Sequence, residues 1–229
     1  MNVARWIERH AAFSPEREAI RFAGETISYR VLAARIDAAA GRLAARGIGA
    51  GDVVAFLGYN NPETLALLFA CARLGAMLTP LNWRLAAPEH AYILRDSGAR
   101  LVIVEPAFLD HAAPLRKAFA DRTWLALADA APGWDAWNAV AEARVEAASP
   151  DADPAVVLCY TSGSTGTPKG VVLTQSALFW NAINSAHMHD MTSADRVLTT
   201  SPMFHVGGLN VQTTPALHAG ASVSLHARF

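Results

Sequence analysis

Cysteine is nearly absent from this chain of 229 residues. Cys71 and Cys159 are the two present, each inside an apolar run and without CxxC spacing. That argues against a disulfide framework or a zinc knuckle and leaves reduced core cysteines. Neither sign of charge dominates: 19 Lys and Arg stand against 20 Asp and Glu. The balance gives no electrostatic case for a nucleic-acid or anionic-membrane partner. A long unbroken apolar run is also missing, because TLALLFACARLGAMLTPL is interrupted by Arg73, Gly75 and Pro80 before it could cross a bilayer. The first residues carry Arg5, Glu8 and Arg9 among their apolar neighbours, which is not the core of a secretory signal. A soluble cytoplasmic protein is the expectation, and at 52% hydrophobic it has enough apolar residues for a sizeable core.

What is present reads as alternating strand and helix. AIRFAG and ETISY form a hairpin around Gly24, and Leu32, Ile36, Ala39 and Leu43 recur at helical spacing up to a stop at Gly47. DVVAFLGY is a short buried strand. Asn61 and Pro62 then supply an N-cap and first helical residue for a helix ending at Gly75. AMLTPLN and RLVIVE read as strands around a helix opened by Pro88 and closed by Gly98. Strands with little polar alternation, separated by helices, predict an α/β fold with mostly parallel sheets flanked by helices. Residues 108–145 are alanine-rich and read as helix over most of their length, with Trp124, Trp134 and Trp137 plugging a core edge or groove. ASPDADP, residues 148–154, is the clearest linker. It divides a first α/β region, 1–150, from a second, 151–229. In the second, AVVLCYTSG, GVVLT, RVLTTSPMF and ASVSLHARF read as strands. HVGGLNVQTTPALHAG reads as one helix closing near Gly220.

Between two of those strands lies YTSGSTGTPKGVVLTQ, residues 160–175. Glycines and hydroxyl residues held at both ends by strands expose backbone N–H groups that lack ladder partners. With the hydroxyls of Ser162, Ser164, Thr165 and Thr167 they make a concave donor surface suited to phosphate oxygens. Lys169 adds a full positive charge, and Pro168 restricts the backbone before it. Three other readings compete. A Walker A loop nearly fits from Gly163, but Pro168 precedes the lysine, Gly170 stands where a magnesium-binding Ser or Thr is needed, and a strand follows instead of a helix. A nucleophile elbow at Ser164 would need glycine at Ser162. A flexible linker needs neither the lysine nor the tight flanking strands.

YTSGSTGTPKG closely resembles the signature loop of the adenylate-forming superfamily, which includes acyl-CoA synthetases, peptide-synthetase adenylation domains and firefly luciferase. PMFHVGG, residues 202–208, resembles that family's next core motif, which lines the acyl pocket. LNWRLAAPEHAYILRDSGARLVIV, residues 81–104, is similar to its upstream region, especially in acyl-CoA synthetases. The resemblance covers essentially the whole chain. It implies the N-terminal part of an AMP-forming acid:CoA ligase, with both regions belonging to one incomplete large domain. In that family a carboxylate attacks the α-phosphate of Mg-ATP, releasing pyrophosphate, and the coenzyme A thiol then displaces AMP.

By position, Thr161, Ser162, Gly163, Ser164, Thr165, Gly166 and Lys169 would hold the departing phosphates. His205 would sit beside the carboxylate and α-phosphate, and Val206, Gly207 and Gly208 would complete the acyl pocket, the glycines allowing an acyl chain close to the backbone. Lys169 and His205 are the candidate catalytic residues. A competing role for His205 is to cap the end of its strand. No metal ligand is assigned here: magnesium and coenzyme A would be bound mainly by residues outside this chain. The isolated chain is therefore expected to be inactive, to expose apolar edges and to self-associate through them. A fatty acid is the expected substrate. The different-class alternative is a non-enzymatic nucleotide-binding or interaction module retaining the loop. His187 and His189 in HMHD are two apart, so on a helix they do not share a face and read as solvated.

Overall fold

Local signals set the first elements. The computed structural model describes residues 2–129, 131–143, 145, 153–161 and 167–228. Helix α1 (Arg5–Phe13) precedes the hairpin β1 (Glu18–Phe22) and β2 (Glu25–Ser28), and α2 (Tyr29–Ala45) follows. The Ser28 hydroxyl caps α2 by accepting from the Val31 N–H at 3.3 Å. After β3 (Val53–Leu57), Asn61 Oδ1 accepts from the Glu63 N–H at 2.9 Å. That cap, with Pro62 at the first helical position, starts α3 (Pro62–Leu74), and Gly75 ends it at φ +71°. β4 (Met77–Leu81), α4 (Ala87–Ser97) and β5 (Leu101–Val104) come next.

The alanine-rich stretch departs from its sequence reading. It gives a 3₁₀ turn at Pro106–Phe108, α5 (Leu109–Ala118), a strand β6 (Thr123–Ala126), a two-residue β7 (Asp135–Ala136) and a second 3₁₀ turn at Trp137–Ala139. The open edge of β5 pairs with β6, Val102 opposite Trp124, and tertiary pairing overrides alanine's helix preference. Trp124 and Trp137 are buried in the core, the Trp124 indole donating to the Phe119 carbonyl at 3.0 Å.

β8 (Ala155–Thr161), β9 (Lys169–Thr174), α6 (Gln175–Met188), β10 (Arg196–Thr199), α7 (Val206–Asn210), α8 (Thr213–Ala219) and β11 (Ser222–Leu225) complete the chain. The single helix expected before Gly220 is thus two. Pro215 has no N–H to give to the carbonyl one turn back, that of Val211, and the Ser185 hydroxyl donates to it instead. Asn181 Nδ2 likewise serves the Asn210 carbonyl, at 2.5 Å.

Two sheets result. One has seven strands in the order β7-β6-β5-β3-β4-β8-β9, parallel except for β9. The other has four, β10-β11-β1-β2, parallel except for β2. The division at residue 150 does not separate the sheets: β8 pairs with β4, Val157 opposite Leu78, and β1 pairs with β11, Ile20 opposite Val223. Each sheet takes strands from both regions. Helices α1, α2 and α3 pack between the sheets, while α4 and α5 cover the other face of the seven-stranded sheet. α3 is buried on every side from Leu65 to Ala72, and each such leucine contributes about 1.5–3 kcal/mol by leaving water.

Buried polar residues tie these layers together. Gln175 accepts from the Val3 N–H at 2.8 Å and donates to the Ala72 carbonyl at 2.9 Å. The Tyr29 hydroxyl donates to the Ala221 carbonyl at 2.7 Å. Cys71 and Cys159 are free and buried, and burial pushes the Cys159 thiol up to about 11. Among the described residues no helix is long and apolar enough to cross a membrane.

Candidate functional site

The glycine-rich loop is gripped at both ends. β8 and β9 pair antiparallel, and Thr161 lies opposite Lys169 at the mouth of the hairpin. Both side chains are exposed. Ser162, Gly163, Ser164, Thr165 and Gly166 lie outside the described residues. A strand begins at Lys169 itself, and this separates the hairpin from a Walker A loop, whose lysine opens a helix.

A strut braces this mouth from below. The Tyr160 hydroxyl donates to Asp96 Oδ2 on α4 at 2.6 Å. Burial, and then the bond to Asp96 and its charge, push the Tyr160 phenol well above its usual range, so it remains a donor. Gly170 is the cross-strand partner of Tyr160. A Cβ there would lie 2.9 Å from Leu158 Cδ1 and 3.2 Å from Tyr160 Cζ. The glycine therefore clears the space over which the tyrosine ring lies. This contact had no signal in the local sequence, since Asp96 is 64 residues away.

His205 does two things. It is the N-cap of α7, its Nδ1 accepting from the Gly207 N–H at 3.0 Å. The cap it makes is thus on a helix, with β10 ending six residues earlier at Thr199. With Nδ1 accepting, the neutral ring carries its proton on Nε2, which is left to donate elsewhere. His205 also lines a cavity of about 250 Å³ together with Asn82, Glu89, Tyr160, Thr161, Pro168 and Phe204. Thr161 and His205 therefore line one cavity.

The rest of the second motif separates from it. Gly207 and Gly208 line another cavity, of about 180 Å³, with Thr199 and Thr213, and Val206 lines neither. A Cβ on Gly208 would sit 2.2 Å from the Pro202 carbonyl oxygen. The Cβ direction of this glycine is thus filled by the chain's own backbone.

Several positioning residues escaped the sequence reading. Asn60 Nδ2 donates to the Ser201 and His226 carbonyls, each at 3.0 Å, and its Oδ1 accepts from the Met203 N–H at 2.8 Å. It clasps the start of PMFHVGG to the end of β3. Trp83 meets Phe204 edge to face with ring centres 6.4 Å apart, and the Arg84 guanidinium lies over both rings. The loop carrying them is held by His90, whose Nε2 donates to the Asn82 carbonyl at 3.0 Å. The adjacent Asn-Asn-Pro in the sequence was the one available hint of Asn60, and it was absorbed by the helix cap. Among the described residues no group of three or more His, Cys, Asp or Glu side chains gathers to hold a metal. His189 turns back onto its own helix, Nδ1 lying 2.8 Å from the Ser185 carbonyl.

Two mostly parallel sheets with helices packed between them, and a glycine-rich hairpin at the edge of the larger one, match the N-terminal domain architecture of acyl-CoA ligases. The chain superposes on the inhibitor-bound N-terminal domain of FACL13 from Mycobacterium tuberculosis with a TM-score of 0.87 at 30% identity, over 100% of this chain and 57% of that one. The chain belongs to the AMP-binding enzyme family, whose family model matches residues 7–229. It is similar to the ATP-bound MatB of Rhodopseudomonas palustris, with a TM-score of 0.85 at 29% identity, over 100% of this chain and 46% of that one. It is also 50% identical over 234 residues to the indoleacetate–CoA ligase of Aromatoleum aromaticum, covering 100% of this chain and 46% of that protein. The chain thus spans about half the length of the relatives it matches.

Proposed function

We propose that these residues form the phosphate-gripping part of an AMP-forming acid:CoA ligase. The observation that carries the reading is the pairing of Thr161 with Lys169 across the mouth of the glycine-rich hairpin, beside a cavity that His205 also lines. Lys169, Thr161 and the loop residues Ser162, Gly163, Ser164, Thr165 and Gly166 hold the β and γ phosphates of ATP. Their work is to align the α-phosphate for in-line attack by the carboxylate oxygen and to stabilise the charge that builds on pyrophosphate as its bond to the α-phosphate breaks. His205 offers its Nε2 proton to the carboxylate or to an α-phosphate oxygen. Magnesium, which one or two carboxylates and the phosphates themselves would hold, would be bound mainly by residues outside this chain.

The acid we assign is an arylacetic acid, on the strength of the 50% identity with an indoleacetate–CoA ligase. The fatty acid suggested by residues 81–104 is the second candidate. The test is exchange of labelled pyrophosphate into ATP by the 229-residue chain, with indoleacetate and a long-chain fatty acid offered separately. Binding of ATP without exchange is the expected result, because the chain spans under half the length of the indoleacetate–CoA ligase. Exchange would show that these residues contain enough of the adenylation site, and the supporting acid would name the substrate class. Failure to bind ATP or pyrophosphate would sink the reading.

A further inference from the structure

Open α/β sheets bind ligands in the crevice beyond the carboxyl ends of their strands, where the strand order reverses. In the seven-stranded sheet the reversal falls between β3 and β5. The chain leaves β3 through α3 to reach β4 on one side, then returns past β3 to lay β5 on the other. α3 and the helix after β5, α5, accordingly pack on opposite faces. A cavity of about 820 Å³ opens at this point, lined by Asn61 and Glu63 after β3, Glu105 after β5, Arg35 and Arg42 from α2, and Asn138. Its volume is that of a metabolite site. It shares no lining residue with the cavity beside His205.

Carboxylates and guanidiniums both line it. Glu105 bridges the gap between the strands, Oε2 accepting from the Tyr59 N–H at 2.7 Å and Oε1 lying 3.4 Å from Asn61 Nδ2. Room for that carboxylate depends on Gly58, where a Cβ would come 3.0 Å from Glu105 Oε2 and 2.7 Å from the Phe56 ring. Glu63 Oε1 accepts from the Trp137 indole at 2.7 Å. Arg42, also in the lining, bonds Glu142 at 3.1 Å and lies over the same Trp137 ring. Among the described residues, its buried Nε has no hydrogen-bond partner. Arg35 bonds Glu25 at 2.6 Å on the rim.

Carboxylates at strand ends accept from neighbouring hydroxyls, and guanidinium forks match phosphate oxygens. We propose that this crevice binds a sugar phosphate, its hydroxyls donating to Glu105 and Glu63 and its phosphate accepting from Arg42 and Arg35. The proposal does not depend on the ligase reading. The ligand is a free sugar phosphate or the ribose phosphate of a nucleotide.

The experiment titrates ribose 5-phosphate, and separately AMP, into the 229-residue chain by calorimetry, using wild type, Arg42→Met, Glu105→Gln and Lys169→Ala. Saturable binding of ribose 5-phosphate is expected, about tenfold weaker in Arg42→Met, several-fold weaker in Glu105→Gln and unchanged in Lys169→Ala. AMP binding with the same dependence on Arg42 would identify a nucleotide as the source, and ribose 5-phosphate binding without it would identify the free sugar phosphate. Should Arg42→Met melt at a lower temperature, Arg35→Met on the exposed rim gives the same readout without disturbing the core. No saturable binding, or binding lost in Lys169→Ala and kept in the arginine variants, would overturn the proposal.

Discussion

The two strands flanking the phosphate loop read almost alike, AVVLCYT in β8 and KGVVLT in β9, yet they sit in opposite surroundings. β8 runs between β4 and β9, and Val156 through Cys159 are buried. β9 is the last strand of its sheet, and Val171 and Val172 are 42% and 54% exposed. The same contrast recurs in the smaller sheet, where edge strand β10 leaves Leu198 60% exposed. Branched apolar residues mark a strand, but what pairs and packs beyond it decides whether they are buried. The consequence for the loop is a hairpin with one leg fixed in the core and the other open to solvent or to further chain.

That contrast is breakable by mutation. The largest effect is expected from Val157→Asp in β8. Val157 is fully buried, and an unpaired carboxylate there costs about 3–5 kcal/mol. Urea unfolding should show a collapsed midpoint, and a midpoint near wild type would contradict the placement of β8 in the core.

Next comes pH, through the buried side of the same sheet. His90 is fully buried, and burial, with a smaller push from His111, lowers its pKa to about 4 against the opposing pull of the Asn82 carbonyl. In the unfolded chain the imidazole titrates near its ordinary value, about 6.5. Between those two values the unfolded state takes up a proton that the folded state refuses. Unfolding free energy therefore falls as pH falls through that window, by about 3 kcal/mol in all. Unfolding curves at pH 7 and pH 4.5 should separate in wild type and converge in His90→Gln. An equal separation in the variant would assign the dependence to other groups.

Gly170→Val sharpens the comparison from within the open strand. Although β9 is exposed, the added side chain would meet Leu158 and Tyr160, and overpacking of this kind costs about 1–3 kcal/mol. The smallest effect belongs to Val172→Asp, within about 0.5 kcal/mol of wild type. Any self-association through the β9 edge should weaken as well, seen as a shift toward monomer in sedimentation velocity. A loss in Val172→Asp as large as that in Val157→Asp would erase the distinction between the strands.

Much of the framework was legible because its signals are local. Ser28, the Asn61-Pro62 pair and Gly75 each fix a helix end through their own backbone or side chain. The anchors of the loop, Thr161 and Lys169, were legible for the same reason, their strands being contiguous with the motif. The strand at Thr123–Ala126 was not, since it exists by pairing with β5. Nor was the Tyr160–Asp96 strut or the Asn60 clasp, whose partners lie 64 residues or more away. At Gly208 the motif showed the glycine but not its close approach to the Pro202 carbonyl, which only the fold reveals.

The most direct test of the central claim is a calorimetric titration of pyrophosphate into the wild-type chain and into Lys169→Ala. The account predicts saturable binding in wild type, at least tenfold weaker binding in the variant, and unchanged melting temperatures. Equal affinity in both proteins, with both folded, would remove Lys169 and the hairpin mouth from phosphate recognition.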